Sequence, residues 1–312
     1  MGAGRQPRVA LPWQVHYALL SGIWGLSFLL IKIGNETLDP VQVSLGRMVV
    51  GATALGVVVA AKRDRLPRNP RTWAHVLVVS ALFNSVPMTL FAWAETRISS
   101  IAAGIWNGTT PIFVLVIVLA AFPEERPTRE RIAGILVGFT GVVVVLGPWS
   151  GLGGHSLAGN LAGLAAAGCY GIAYPYMRRH LATTKESGLA LSFAQLLCAA
   201  VSLAIVTPLV TDAPSHVSGR SLAAVAALGA FGTGLAYVFN YAIVRAVGPT
   251  AASTVTYVIP VVAAVAGLTL LGENLRWHEP VGALIVLAGV ALTQGRLRYV
   301  PGRTRPSAAG KP

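Results

Sequence analysis

The apolar stretches of this sequence contain few side chains that can do chemistry, and most of those are aromatic or neutral and polar. Trp24 and Phe28 are spaced i, i+4, and Tyr170 and Tyr174 repeat that spacing, so each pair lies on one face of a helix. Such groups line a cavity for a small organic molecule, bond neighbouring helices together, or, for an isolated tyrosine, anchor a helix at an interface. On the first interpretation, the predicted cavity residues are Trp24, Phe28, Arg47, Asn84, Trp106, Asn107, Tyr170, Tyr174, Tyr237, Asn240 and Tyr257.

Charged side chains within or beside these stretches are few. Arg47, near the start of an apolar run, could face the cavity and bind a carboxylate or phosphate, or extend to the membrane surface, and both interpretations stay open. Lys32 is expected to extend towards water. Glu95 is the nearest candidate for a protonatable group in a pathway, but the expected arrangement is a surface pair with Arg97. Because buried acids are scarce, the sequence favours weak or indirect coupling to protons.

A cavity with this lining would be rich in aromatic, hydroxyl and amide groups and almost uncharged. It suits amphiphilic or zwitterionic small molecules better than multiply charged ones, and aromatic faces also attract organic cations. A proline inside a helix frees a backbone carbonyl, which is tolerated at membrane depth where the backbone packs on protein or lines a watery cavity. The predicted bending points near this pathway are Pro87, Pro111, Pro175 and Pro260.

The stretches that carry these side chains are apolar enough to cross a membrane. Of the 312 residues, 54% are hydrophobic and 11% are charged, and the mean hydropathy is +0.65, whereas a soluble domain carries about a quarter charged residues. A membrane-spanning helix needs about 20 mostly apolar residues. The predicted fold class is therefore all-α integral membrane, with ten transmembrane helices at 14–34, 41–61, 73–94, 98–121, 132–147, 157–177, 189–209, 221–244, 248–271 and 280–295.

The placement of basic residues predicts how these helices are oriented. The net charge is +13, and most of the 24 Lys and Arg residues fall in the two tails and in the joints on one side of the membrane. This is the pattern of cytoplasmic segments, so we expect both termini, 1–13 and 296–312, to be cytoplasmic tails. Basic residues between apolar runs do not form the stripe of a nucleic-acid-binding surface, so no nucleic acid partner is predicted.

The two halves of the chain, 14–147 and 157–295, resemble each other at a nearly constant offset. Five helices per half is an odd number, so the second half enters the membrane from the opposite side. Such inverted repeats are typical of secondary transporters, whose substrate site lies near mid-membrane between the repeats; duplication kept for packing alone is the alternative. The matched positions are Trp24-Gly25 with Tyr170-Gly171, Pro111 with Pro260, Gly134 with Gly282, and Gly141 with Gly289.

The sequence resembles the EamA family of the drug/metabolite transporter superfamily over about residues 14–295. The resemblance rests on the five-plus-five repeat, Trp24-Gly25 in helix 1, Arg47 in helix 2 and an Ala-Ala…Pro…Glu pattern. That pattern ends in Gly272-Glu273 in the second half but in Pro123-Glu124-Glu125 in the first. The resemblance implies a metabolite exporter or permease of the inner membrane that works by alternating access on a small molecule such as an amino acid or a drug-like compound.

Motifs for catalysis or metal binding do not occur in the sequence. Cys169 and Cys198 lie inside apolar runs without the spacing of metal ligands, and there is no HExxH, GxSxG or GxxxxGK[ST] motif. We predict a protein that is not an enzyme, with no catalytic residue, no metal and no cofactor. Its expected partners are its substrate and the lipid bilayer, with a homodimer left open. A membrane-embedded lipid-modifying enzyme and a non-transporting sensor or assembly partner are kept as alternatives.

Overall fold

The computed structural model describes residues 12–121, 128–146, 155–181, 184–247 and 255–293, and within these ranges the secondary structure is helical, without strands. The predicted tails, apart from Pro12 and Trp13, and the junction at Glu124 lie outside the described residues. Their predicted roles are therefore left as predictions. The side chain of Tyr257 is also outside the described part, although its backbone belongs to a helix.

Thirteen α-helices and two π-helical segments make up the described chain. The first π segment, Ala81–Ser85, joins α3 to α4, and the second, Ala230–Leu235, joins α10 to α11. The α-helices are α1 Trp13–Gly34, α2 Pro40–Ala61, α3 Pro70–Ser80, α4 Val86–Ala94, α5 Ser100–Gly108, α6 Thr110–Ala121, α7 Arg129–Leu146, α8 His155–His180, α9 Gly188–Val210, α10 Gly219–Gly229, α11 Ala236–Val247, α12 Val255–Leu270 and α13 His278–Thr293.

Helix length and composition confirm the membrane class that the sequence predicts. Six described stretches are long and apolar enough to cross a membrane: Trp13–Gly34, Pro40–Ala61, Pro70–Ala94, Ser100–Ala120, Gly188–Val210 and Gly219–Ile243. Three shorter apolar helices and α8 occupy the remaining predicted ranges, so a total of ten crossings stays a prediction. Large apolar side chains point outward, among them Val57 at 65%, Leu209 at 77% and Leu284 at 67% exposure, as expected where lipid is the solvent.

Local sequence explains where several helices begin. Asp39 accepts a hydrogen bond from Val41 N, and Gln42 Oε1 accepts one from Asp39 N, which forms a capping box in front of Pro40. Asn69, Ser99, Ser187 and Ser218 cap α3, α5, α9 and α10 in the same manner, by accepting from a backbone N–H of the first turn. These caps satisfy donors that would otherwise be unsatisfied at the helix ends.

The two halves interlock through their first helices. Helix α1 of the first half packs against α10, α11 and α12 of the second, and α8 of the second half packs against α4, α5 and α6 of the first. Helices α7 and α13 pack backbone to backbone, because a Cβ atom at Gly289 would lie 2.5 Å from the amide nitrogen of Gly138. Helices α1 and α8 therefore each pack into the opposite half of the protein. The space between them lies at the boundary of the two repeats.

Helix interruptions occur at three described places, and the sequence predicts only some of them. The first π segment precedes Pro87, and the predicted run 98–121 is divided at Thr109, beside Pro111. Pro175 and Pro260 instead lie inside α8 and α12 without an interruption of the helix. The second π segment contains no proline, and the sequence reasoning missed it.

Candidate substrate cavity

A small, partly open cavity of about 80 Å³ lies where helices of both halves meet. Its wall is formed mainly by aromatic and apolar side chains, with one guanidinium and several hydroxyl and amide groups. The lining residues are Trp24, Ser27, Phe28, Ile31, Arg47, Phe83, Met88, Phe91, Asn107, Thr110, Tyr170, Tyr174, Tyr237, Thr256 and Ile259.

The structure brings most of the predicted cavity residues together, although their part in substrate binding stays a prediction. Trp24, Phe28, Arg47, Asn107, Tyr170, Tyr174 and Tyr237 line the cavity. Phe83 is in ring contact with both Tyr170 and Tyr174, at centroid distances of 5.1 and 5.2 Å, and Phe28 packs edge-to-face on Phe91 at 5.5 Å. Phe91 also contacts Tyr170 at a centroid distance of 6.2 Å, so these five rings form one connected wall beside the space.

Three predicted cavity residues do not line the cavity, and a fourth, Tyr257, has its side chain outside the described part of the chain. Asn84 is fully buried behind Tyr237 and accepts a hydrogen bond of 2.7 Å from its hydroxyl. Trp106 is also fully buried, and its Nε1 donates to Asn160 Oδ1 at 2.8 Å, so it bonds α5 to α8 and does not reach the cavity. Asn240 lies outside the lining, and the side chain of Tyr257 is not described, whereas its neighbour Thr256 faces the space.

The side chain of Arg47 lines the cavity, and its binding of a carboxylate or phosphate stays a prediction. Only 7% of the residue is exposed. Its Nε donates to Thr233 Oγ1 at 2.8 Å and its Nη2 to the carbonyl of Gly232 at 3.3 Å, both in the second π segment. A guanidinium has five N–H donors, and the described residues give Arg47 no carboxylate partner. The remaining donors are available to a ligand.

Several lining residues are not among those predicted from the sequence, and their residue types and positions explain why. Ser27 and Ile31 continue the face of Trp24 and Phe28 at i+3 and i+7, so helical spacing alone could have found them. Phe83, Met88, Phe91 and Ile259 are apolar residues of apolar helices, and nothing in their type separates a cavity wall from a packed core. Thr110 follows the predicted residue Asn107 by three positions, and Thr256 directly precedes the predicted residue Tyr257.

The predicted surface pair between Glu95 and Arg97 is wrong. Glu95 is 0% exposed, and neither carboxyl oxygen has a hydrogen-bond donor among the described residues. Arg97 turns to the other side, where its guanidinium stacks 3.6 Å from the ring centroid of Trp93 and donates to Thr96 Oγ1 at 2.7 Å. Stacking on an indole face gives the cation a favourable site without a carboxylate.

The amine of Lys32 binds protein, where extension towards water had been expected. Its Nζ donates to the backbone carbonyls of Glu95 and Ile98, at 2.7 and 2.9 Å. These carbonyls belong to the segment that follows α4, where helix geometry leaves acceptors without partners. Lys32 therefore ties the end of α1 to the segment between α4 and α5.

Comparison with known proteins identifies the class that this architecture belongs to. Two repeats of apolar helices that enclose a shared cavity are the architecture of a polytopic membrane transporter. The profile of the EamA-like transporter family matches residues 12–147 and 157–294, and the chain belongs to that family. The protein is therefore a transporter and not an enzyme. Among the described residues, no group of three His, Cys, Asp or Glu could hold a metal ion.

Individual relatives agree with the family assignment. An uncharacterized transporter of Archaeoglobus fulgidus is 28% identical over 277 residues, which cover 88% of this chain and 95% of that protein. A probable terminal-alkyne amino-acid exporter of Streptantibioticus cattleyicolor is 28% identical over 290 residues, with coverages of 90% and 94%. A solved structure described only as a protein has a TM-score of 0.65 at 19% identity and covers 93% of this chain and 99% of its own, which shows a common fold.

Proposed function

We propose that this protein is a secondary transporter that exports a small organic metabolite with a carboxylate and an apolar or aromatic body, such as an amino acid or an amphiphilic drug-like compound. One observation carries the proposal: Arg47 presents a buried cation to an aromatic cavity in which no described protein carboxylate pairs with it. A relative with 28% identity is named as a probable amino-acid exporter, which supports this substrate class.

The geometry around Arg47 suits a carboxylate. A buried cation is stabilised by an anion that accepts several charge-assisted hydrogen bonds, and guanidinium pairs with carboxylate in a bidentate manner. Thr233 and Gly232 hold the group in place, so a ligand would meet a fixed donor set. Nucleotide sugars or sugar phosphates carry more negative charge than Arg47, the one cation among the described lining residues, could balance.

Aromatic side chains complete the proposed binding site. Trp24, Phe28, Phe83 and Phe91 offer an apolar surface for the body of the substrate, and the hydroxyls of Tyr170 and Tyr174 offer polar contacts. This lining resembles small-molecule sites in general, which are mostly apolar with a few placed polar groups. The combination favours amphiphilic molecules over purely polar ones.

The size of the cavity supports a mechanism with large movements. At about 80 Å³ the cavity is smaller than typical ligand sites, which measure roughly 300–1,000 Å³. We therefore infer that the helices around the cavity move apart when substrate binds. We infer alternating access between the two five-helix halves in inverted orientation, with both termini cytoplasmic in the inner membrane.

Metabolite profiling tests this proposal directly. Cells that overproduce the wild-type protein should accumulate carboxylate-bearing metabolites in the medium, compared with cells that lack it. Arg47→Gln should abolish this accumulation, and Tyr170→Ala should reduce it. Arg220→Gln is the matched control, because Arg220 is an exposed arginine paired with Glu36 and should leave export at the wild-type level.

The contradicting results are equally specific. Membrane insertion of each variant is checked by fluorescence-detected size-exclusion chromatography, which separates lost transport from lost folding. Undiminished export by a well-folded Arg47→Gln protein would contradict the site assignment. Accumulation of organic cations without a carboxylate group would contradict the substrate class.

A further inference from the structure

Four polar side chains close the bundle at the end where α1 and α4 stop and α5 begins. We call Lys32, Glu95, Ser100 and Glu273 the polar seal. Lys32 binds the carbonyls of Glu95 and Ile98. The Glu273 carboxylate accepts from Ser100 N at 2.9 Å and Ser100 Oγ at 2.8 Å, and so caps α5 from the segment that follows α12. The seal thus joins helices from both halves of the protein.

Glu95 differs from the other members of the seal because its side chain has no described partner. The residue is 0% exposed, and both carboxyl oxygens lack hydrogen-bond donors within the part of the chain that the structure describes. Glu273, by contrast, has donors for both of its oxygens. The two carboxyl groups of the polar seal are therefore in opposite environments. Glu273 accepts hydrogen bonds that suit a carboxylate anion, whereas Glu95 has no described donor.

The surroundings of Glu95 favour the neutral acid while the seal is closed. A buried carboxylate without hydrogen bonds or a close counterion is costly, and such a group takes up a proton instead. The charged groups that act on it are Lys32 from α1, Arg47 from α2 and the like-charged Glu273 from the segment after α12. Lys32 donates to backbone carbonyls, Arg47 is held by the second π segment, and Arg97 stacks on Trp93. None of the cations therefore binds the carboxyl.

The position of Glu95 connects it to the cavity. Phe91, one helical turn earlier on the same helix face, lines the cavity, and so does Ile31, next to Lys32. The polar seal therefore lies directly beyond one wall of the cavity. Separation of the helices at this end would bring water to Glu95 from outside the bundle, and separation at the opposite end would bring water within one turn of it through the cavity.

We propose that Glu95 is a proton-binding site that couples transport to the movement of one proton, an inference that rests on the transport function proposed above. When the helices separate at the opposite end, water reaches the carboxylic acid through the cavity, and the acid gives its proton to the water on that side. When the seal opens, the carboxylate takes a proton from the water on the other side, and it is neutral again before the seal closes, because the closed seal offers it no donor. Each cycle thereby moves one proton from one side of the membrane to the other through this carboxyl.

Because the proposed function is export, the coupling is an exchange in which a proton enters while the substrate leaves. It differs from the weak or indirect coupling that the sequence favours.

Infrared difference spectroscopy tests the protonation of Glu95 without any substrate. The purified wild-type protein in lipid nanodiscs should show the C=O band of a buried carboxylic acid at neutral pH. Glu95→Gln should remove that band, whereas Glu36→Gln should keep it, because Glu36 is a partly exposed acid paired with Arg220. A wild-type spectrum with no band that depends on Glu95 would overturn the proposal.

Proteoliposomes test the coupling itself, with labelled phenylalanine as the probe and the membrane potential clamped at zero. A proton gradient of one pH unit should sustain an about tenfold concentration ratio of the probe, since one proton is exchanged per molecule. Glu95→Asp should keep a response to the gradient. Glu95→Gln should lose the response while some downhill flux persists, because a neutral amide needs no proton for closure.

The outcomes separate this inference from the proposed function. Downhill flux of phenylalanine by the wild type that ignores the proton gradient would overturn proton coupling and leave the transport function standing. Absence of flux for both the wild type and Glu36→Gln would instead count against the proposed substrate class, and the infrared band would then decide the role of Glu95. A Glu95→Gln protein that follows the gradient as steeply as the wild type would also refute the inference.

Discussion

The hydroxyl of Tyr237 donates a hydrogen bond of 2.7 Å to Oδ1 of Asn84, and this bond joins the first π-helical segment to α11, the helix that follows the second. Asn84 belongs to the first segment, Ala81–Ser85, and Tyr237 follows the second, Ala230–Leu235. Both residues are buried. Because π segments are rare and occur frequently at functional sites, a bond from one of them to the helix that follows the other marks a place where the two halves are linked beside both interruptions.

Loss of this hydroxyl should destabilise the described conformation. Tyr237→Phe leaves Oδ1 of Asn84 buried without a donor, which costs about 1–3 kcal/mol. We expect a lower melting temperature in detergent, measured by intrinsic fluorescence. A double-mutant cycle with Asn84→Ala isolates the bond, because the two changes should be strongly non-additive. Additive effects would mean that the two residues act separately.

Thr233 should act on substrate affinity through Arg47. Thr233→Val removes the acceptor of the Arg47 Nε–H at nearly constant side-chain volume. A lost hydrogen bond to a charged group costs about 1.5–3 kcal/mol, so we expect at least a tenfold higher half-saturation concentration for transport of phenylalanine in proteoliposomes. Thr53→Val is the control, because Thr53 is exposed and bonds only to its own helix. Equal loss of affinity in both variants would contradict the positioning role of Thr233.

The sequence predicts the membrane class and much of the cavity wall, because both depend on local patterns. Apolar run length identifies the helices, and the i, i+4 pairs Trp24–Phe28 and Tyr170–Tyr174 lie on the wall as predicted. The same rule, applied to i+3 and i+7, extends to Ser27 and Ile31. Spacing on a single helix is a local property, so it survives folding unchanged.

Pairing between distant segments could not be predicted in this way. Glu95 is buried because α1, α5 and the segment after α12 close around it, and none of these neighbours is near it in sequence except α5. Trp106 was assigned to the cavity by type, but its partner is Asn160, far along the chain. The second π segment lacks the proline that was used as the signal for a bend, and Gly232 and Gly234 stand there instead.

Close packing of α7 on α13 makes their glycines sensitive to substitution. At Gly289 a methyl group would lie 2.5 Å from the amide nitrogen of Gly138, a contact that only a shift of the backbone could relieve. Gly289→Ala should therefore separate the helices and reduce the yield of monodisperse protein severalfold. Gly22→Ala is the matched control, since no atom lies within 4 Å of the position of its added carbon. Normal yield and melting temperature for Gly289→Ala would contradict this packing.

Acidification should weaken the contact between α3 and the end of α8. His75 stacks on His180 at 4.4 Å and binds the Tyr176 hydroxyl through Nδ1 at 2.9 Å. Partial desolvation, together with His75 and Arg179, lowers the pKa of His180, the last residue of α8. The neutral imidazole of His180 is thus favoured in the folded protein. It contributes to the stability of the fold above the ordinary histidine pKa of about 6.5, and this contribution is lost as the pH falls below that value. We expect the melting temperature to decrease over this range, and less steeply for His180→Gln than for the exposed control His216→Gln; identical slopes would contradict the assignment.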